Sequence, residues 1–572
     1  MTTIERETRA EGARRRSAAQ RLLVRSFWLV PLGFYVLTAS RTPGWVDAPL
    51  IARVVHRMEL SVWVNNHNMF TLLGSAWLRL MPESLDPHYA LNLLCAVLGA
   101  LTVYVVFLTG LRLTRNTSAS VLGAIVLMVS HSLWWHSTML EVYTLSTVLL
   151  ATTVLFVVRY GQQSRLTDLW VAALSFGLAC SNHPQMGLLG LGFLGLLLLP
   201  SSRRQMLRPN RVLLLAVCFL GGFQVYLWVF GAELIAQLPP DADWKALGVI
   251  LRSMLDHTSG GGFRQYMFPA GVSFEERLFW WAFYGGFFIY NFPPPWILFA
   301  PVGAVAWLRT KDHRVSLAFF GFAFLAQVVW SANYFVWDMY AFSLPAYVMT
   351  GILIIVGIDW VYRRSRRGRM LVYAIAPTVI LVPILYASAA RWIAHNQQAV
   401  RLLARIPQYE QATAFWDPLD YFFNPDKRSY DRVQRYSRAI LPKLESGACY
   451  WGNEATMFYP LKYYYQDVLG QRSDVSYHLV FGIIESEVEF GHHAATMVQQ
   501  LKQGCRVYIS SLGYPERDVL NHVYHQLDRT AALADIAGLS KRDFLATFPE
   551  YRLSPLEIDP SEGVRIYELE AR

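Results

Sequence analysis

Apolar residues in this 572-residue chain gather into runs close to 20 residues long, parted by short polar links. The runs lie near residues 26–40, 89–111, 118–133, 142–158, 168–181, 184–200, 211–231, 280–308, 315–331, 342–360 and 370–390. Runs of about 20 apolar residues match the hydrocarbon thickness of a bilayer. Lipid offers the backbone no water partner, so such runs must be helical. The pattern predicts a polytopic α-helical membrane protein, a bundle of about 11 transmembrane helices over residues 26–390. The 168–200 region reads equally as a broken span or a re-entrant pair.

Charge in the links gives a direction to the alternation. LRLTRN, RYGQQSR, SSRRQMLRPNR, RTKDHR and YRRSRRGR each carry at least two basic residues, whereas HSTMLE, SNH and SANYFVWD carry no Lys or Arg. Basic links stay on the cytoplasmic side. Residues 1–25 then form a cytoplasmic tail, and loops 41–88 and 232–279 lie outside. Each loop holds an amphipathic stretch, PLIARVVHRM and WKALGVILRSML. Such a stretch either lies in the membrane interface or packs on the bundle.

Past residue 390 the texture changes, and polar residues, prolines and charges mix. GACYWG and CRVYISSL read as strands; YPLKYYYQDVLG and LNHVYHQL read as helical. Residues 391–572 are expected to form an extracytoplasmic α/β domain. Composition agrees with a membrane chain: 54% of residues are hydrophobic and 16% charged, against about 25% charged in soluble domains. The net charge of +10 sits largely in the basic links, which argues against nucleic acid as a partner. Cys449 and Cys505 can pair if the last domain lies in an oxidising compartment. A P-loop, paired CxxC motifs and HExxH are missing from the sequence, which weakens ATPase, zinc-site and metalloprotease readings.

The unusual polar residues collect in the outer links. Asp47, His56, Glu59, His67 and Asn68 fall in the first loop, His131, His136 and Glu141 around HSLWWHSTMLEVY, Asn182 and His183 in SNHP, and Asn333 and Asp338 in WSANYFVWDMYAF. An ion pump places titratable groups nearer the bilayer midplane; a site at the outer mouth suits chemistry on a lipid headgroup or an outside substrate. Each residue also has a packing or capping reading. Arg264 in GGGFRQY is a phosphate candidate, because its glycine neighbours allow close approach. Tyr459, Tyr463 and Tyr464 are candidate acceptor contacts, since tyrosines stack and retain a hydroxyl; they serve equally as core.

The stretch from Asp47 to about Pro200 resembles the uncharacterised-domain family related to protein O-mannosyltransferases, within the GT-C membrane glycosyltransferases. The resemblance rests on the early Asp, on Asn92 in HYALNLLCAVLGALTVYVVF, on SHSLWWHSTMLEVYTLSTVLL and GLACSNHPQMGLL, on NYFVWDMYAFSLPAY, and on GNEATMFYPLKYYYQDVLGQRSDV. It implies a GT-C-like bundle and transfer of a sugar from a polyprenyl-phosphate donor to an extracytoplasmic acceptor with inversion. A protein hydroxyl is the first choice of acceptor, a glycan or lipid the alternative. Asp47 takes the place of the family's catalytic carboxylate and is the expected general base. The family often has a second acid three positions on, where this chain has Leu50. Glu59, Glu141 and Asp338 are the supporting carboxylates; His67, His131, His136, Asn182, His183 and Arg264 are the donor phosphate or sugar contacts. No metal is expected, although a divalent ion fits the chemistry. The expected setting is the bacterial inner membrane. A lipid-linked sugar transporter and a noncatalytic envelope assembly protein are the rival readings.

Overall fold

A computed structural model describes residues 18, 20–45, 47–62, 66–310, 313–336, 338–396, 398–399, 402, 418–453, 458–480, 487–510, 549–559 and 564–572. LNHVYHQL lies outside them. The membrane part is helical: α1 (Gln20–Thr38), α2 (Asp47–Arg57), α3 (Asn68–Leu80), α4 (Pro87–Thr114), α5 (Thr117–Met128), α6 (His131–Thr138), α7 (Tyr143–Gln163), α8 (Leu166–Asn182), α9 (Leu189–Leu197), α10 (Pro209–Gln237), α11 (Trp244–Thr258), α12 (Phe274–Asn291), α13 (Phe299–Leu308), α14 (Arg314–Ala332), α15 (Leu344–Arg364) and α16 (Arg366–Ile393). Among the described residues seven helices are long and apolar enough to cross a membrane, or nine if two bent pairs each make one span. The structure therefore does not fix the expected eleven. The run at 168–181 folds as the 17-residue α8. The run at 280–308 is split between α12 and α13 by the sequence Pro293-Pro294-Pro295, because proline lacks the amide a continuing helix needs.

Local chemistry sets several helix ends. Asp86 caps α4, its carboxylate accepting from the Tyr89 amide at 2.9 Å, with Pro87 in the first turn. A bend of 64° separates α5 from α6. Gly303 and Gly357 let α13 and α15 touch backbone to backbone. A Cβ on Gly303 would lie 1.9 Å from the Leu353 carbonyl oxygen, and one on Gly357 would lie 2.0 Å from that of Phe299.

The two amphipathic stretches behave differently. In α2, Ala48, Pro49, Ile51, Ala52 and Val55 are buried. In α11 only Met254 is buried, while Trp244, Val249 and Leu255 are exposed. Packing claims the first, whereas the second presents an apolar face suited to the membrane interface.

The C-terminal part begins with a strap, α17 (Pro418–Phe423) and the loop to residue 431, followed by α18 (Arg432–Ile440). Beyond it lies a five-stranded sheet of β1 (Cys449–Asn453), β2 (Ser476–Val480), β3 (Val507–Ile509), β4 (Tyr551–Asp559) and β5 (Val564–Ala571), in the order β2-β1-β3-β5-β4. β1 pairs in parallel with β2 and β3; β5 pairs antiparallel with β3 and β4. Both sequence-predicted strands are present, YPLKYYYQ is helical, and Cys449 is bonded to Cys505. One hydrophobic core runs from the bundle through Tyr421, Tyr430, Val433 and Tyr436 to Tyr464 and Ile566. The strap thus belongs physically to the bundle. A separate small core under the sheet joins Trp451, Met497, Ile509 and Leu569.

Candidate active site

Asp47 stands in the first turn of α2 and is exposed. Glu141 lies in the tight link between α6 and α7, and Asp338 in the link between α14 and α15. These three carboxylates, far apart in sequence, feel one another. Burial, then Asp47 and then Asp338 push the Glu141 carboxyl well above the usual carboxylate range. Burial and then Asp47 push Asp338 up to about 7. Like charges brought together out of water cannot all ionise freely. Near neutral pH Asp338 is thus present in both its acid and its base form, the condition for proton transfer.

This gives a stability prediction with a definite sign. The unfolded aspartyl carboxyl titrates near about 3.9. Raising that value in the fold gives a contribution present at low pH and lost as pH rises through about 7. The thermal midpoint of the detergent-solubilised protein is expected to decline between pH 5 and pH 8, roughly the span of this titration. Asp338→Asn, which cannot ionise, is expected to flatten that decline. An equally steep decline in the variant would remove Asp338 as its source.

A continuous series of rings adjoins the carboxylates through Tyr143 and Tyr340. His67 and His183 stack with centroids 5.1 Å apart; His183 lies 5.3 Å from Tyr143, Tyr143 5.3 Å from His136, and His136 5.5 Å from Tyr340. Tyr143 and Tyr340 both lie in the field of Glu141 and Asp338. Burial lowers His67 to about 4 and, with His67 beside it, pushes His183 well below its ordinary range. The stacked pair is thus neutral at pH 7, and its ring nitrogens serve as hydrogen-bonding groups, not as cations.

The expected donor contacts divide. His136 is fully buried; its Nδ1 bonds the Ser132 carbonyl at 2.6 Å, while Nε2 has no hydrogen-bond partner among the described residues. His131 Nε2 is committed to the Phe422 carbonyl. Asn182 is committed as well: its carbonyl accepts from the Phe70 amide at 3.1 Å, and its amide donates to Val142 O and Ser146 Oγ. It ties α3 to α7. Arg264 is exposed and paired with Asp256 at 3.0 Å. Glu59 does not join the three carboxylates through any contact described; Arg53 holds it at 3.1 Å.

Arg53 also reaches Asp467 at 3.2 Å, and Arg57 reaches the same carboxylate at 3.0 Å. These pairs clamp α2, and with it Asp47, to the C-terminal part. Tyr463 lies under the Arg53 guanidinium, 5.0 Å from ring centroid to cation, and 4.9 Å from Tyr459. Tyr464 is buried and donates its hydroxyl to Asp86 at 2.5 Å.

Sequence reasoning missed the strap. Lys427 is 1% exposed, donates to the carbonyls of Tyr421 and Asn424, and sits over the rings of Tyr421 and Tyr430 at 5.0 and 5.4 Å. Its neighbours bind α6: Trp135 Nε1 donates to Tyr421 O at 2.7 Å, and Thr138 Oγ1 to Pro425 O at 3.0 Å. Among the described residues no three His, Cys, Asp or Glu side chains are arranged to hold a metal.

This architecture has solved counterparts. ArnT from Cupriavidus metallidurans, in a crystal structure bound to undecaprenyl phosphate, superposes over 96% of this chain and 98% of its own with a TM-score of 0.53 at 14% identity. Its apo form superposes with a TM-score of 0.52. The fold is that of the GT-C membrane glycosyltransferases. Within this GT-C fold, residues 67–207 match the family described as Protein O-mannosyl-transferase TMEM260 N-terminal domain. The Protein O-mannosyl-transferase TMEM260 of Mus musculus is 28% identical over 218 residues, 37% of this chain. The matched part is 31% of that relative's length. The family match takes in His67, His136, Glu141 and His183 and leaves out Asp47 and Asp338. Two of the three clustered carboxylates thus lie beyond it.

Proposed function

We propose that this chain is a glycosyltransferase that moves a sugar from a polyprenyl-phosphate donor to an acceptor hydroxyl, a protein hydroxyl first, with inversion. The observation that carries the reading is the convergence of Asp47, Glu141 and Asp338 at one end of the bundle. A hydroxyl is a poor nucleophile, so a carboxylate must take its proton as it attacks. Asp47, the exposed member, takes it. The acceptor oxygen bonds to the anomeric carbon, and the carbon–oxygen bond to the lipid phosphate breaks with its electron pair on the phosphate. Attack opposite the leaving group inverts the centre. Glu141 and Asp338, held toward their protonated forms, donate hydrogen bonds to sugar hydroxyls. His136 Nε2 is a further group for the donor, and Tyr459 and Tyr463, beside Arg53, offer rings and hydroxyls to the acceptor. The structural kinship to ArnT bound to undecaprenyl phosphate supports the choice of donor.

Purified protein incubated with a panel of polyprenyl-phosphate sugars and hydroxyl-bearing peptides, read by mass spectrometry, tests this. A donor-dependent mass gain on a peptide is the expected result. Sugar found only on a glycan or lipid moves the acceptor class, and no transfer from any donor rejects the reading.

The polar end faces away from the cytoplasm in this scheme. Engineered cysteines in 362–369 and 447–475 should label from opposite sides of the membrane. Labelling from the same side would overturn the orientation.

A further inference from the structure

The arginine-rich turn between α15 and α16 has no part in that chemistry. It lies at the other end of α15, whose 21 residues put roughly 30 Å between it and the acidic pocket. At its root is a cavity of about 280 Å³, lined by Thr114, Trp307, Asp359, Trp360, Arg363 and Arg364 among others. We infer that this cavity is a phosphate-ester site that takes the headgroup of one anionic phospholipid.

Three observations support it. The carboxylate in the lining is already neutralised: Asp359 accepts from Arg363 Nε at 2.6 Å and from Asn116 Nδ2 at 2.7 Å. Arg364 has no ion pair among the described residues; its guanidinium lies 4.7 Å from the Trp360 ring. Among the described residues, the uncompensated charge in the lining is therefore the Arg364 cation. Second, Trp307 is 2% exposed and its indole N–H has no hydrogen-bond partner among the described residues. A buried donor left unpaired is costly; a small turn of this ring toward the cavity it lines would give the donor a phosphate oxygen as acceptor. Third, apolar surface adjoins the charge. Leu308, next to Trp307, and Met370 and Leu371, just past the arginines, are exposed at 68%, 62% and 53%. A ligand with a phosphate head and acyl chains matches cavity and flank together, with the aromatic and arginine side chains at headgroup depth.

Native mass spectrometry of the detergent-solubilised full chain, with phosphatidylglycerol and phosphatidylcholine as competing probes, tests the site. The wild type is expected to retain one phosphatidylglycerol in preference to phosphatidylcholine. Arg364→Gln should lower that preference about fivefold, what one arginine near a headgroup commonly contributes. Trp307→Phe should lower it while leaving the thermal midpoint close to wild type, and Arg364→Lys should restore part of it. Calorimetric titration with inorganic phosphate separates the two sources of the ligand. Heat that disappears in Arg364→Gln means that phosphate alone suffices; selective lipid retention without such heat means that the acyl chains are required. Either result supports a phosphate-ester site. Equal retention of both lipids by the wild type, or a preference and heat that neither variant alters, overturns it.

Discussion

Asp47→Asn is expected to fold normally and to lose at least about 100-fold in turnover, the lower end of what losing a general base costs. The substitution keeps size and removes the proton acceptor. Donor binding should change far less, because the proposed phosphate and sugar contacts come from other links. A competing account places Asp47 in the first turn of α2 merely as a favourable charge near the helix start. Asparagine would forfeit that charge at a cost of about 0.3–1 kcal/mol in stability, but chemistry would then survive. A single-turnover assay with donor and acceptor both saturating separates the accounts. Near-native transfer by folded Asp47→Asn rejects the general-base role and leaves the fold assignment untouched.

Lys427→Ala should produce the largest loss of stability. The ammonium group is buried and donates to two carbonyls of the strap. Removing it leaves both acceptors without that donor and opens a hollow among Trp135, Tyr421 and Tyr430. Hydrogen bonds to a charged group are worth about 1.5–3 kcal/mol each, so the loss is roughly 3–5 kcal/mol after partial relaxation. Lys427→Met keeps the stem and should recover only the packing share. Thermal unfolding in detergent, followed by tryptophan fluorescence, measures both. A midpoint for Lys427→Ala within a degree of wild type would show that the strap is held without its cation. The strap also carries the Phe422 carbonyl that fixes His131 and the Tyr421 carbonyl that fixes Trp135. Transfer activity should therefore fall with the midpoint.

Much of this was legible because the bilayer imposes a coarse rule. Long apolar runs had to be helices, and the links that lacked arginine and lysine had to share an end. That reasoning put Asp47, Glu141 and Asp338 at the outer end among some dozen polar residues; the role expected of Asp47 came from the family resemblance. It fails where the rule is silent. Glu59 looked like a member of the acidic group, but Arg53, six residues earlier, holds it instead. Asn182 looked available, yet the Phe70 amide of α3 and the Val142 carbonyl and Ser146 hydroxyl at the start of α7 claim both ends of its side chain. Lys427 carried no signal, because FFNPDKRSY reads as a polar stretch beyond the membrane. Only tertiary contact with Trp135 and Thr38 makes it interior. The span count suffers from a related blindness, since hydropathy cannot tell a crossing from two half-helices separated by prolines.

The strap also sets a timetable for biogenesis. Thr42, just past the first span, donates to the carbonyl of Tyr430, and Trp45 to that residue's hydroxyl. The first pair spans 388 residues of sequence. At about 5–20 residues per second, a ribosome needs roughly 20–80 s to cover that distance. Through that interval Trp45 and the groups on α6 that meet the strap wait in an inserted but unfinished bundle. The nascent chain thus presents an open aromatic seam beside Asp47 until late in synthesis. Insertion factors or neighbouring lipids must cover it until the C-terminal segment arrives.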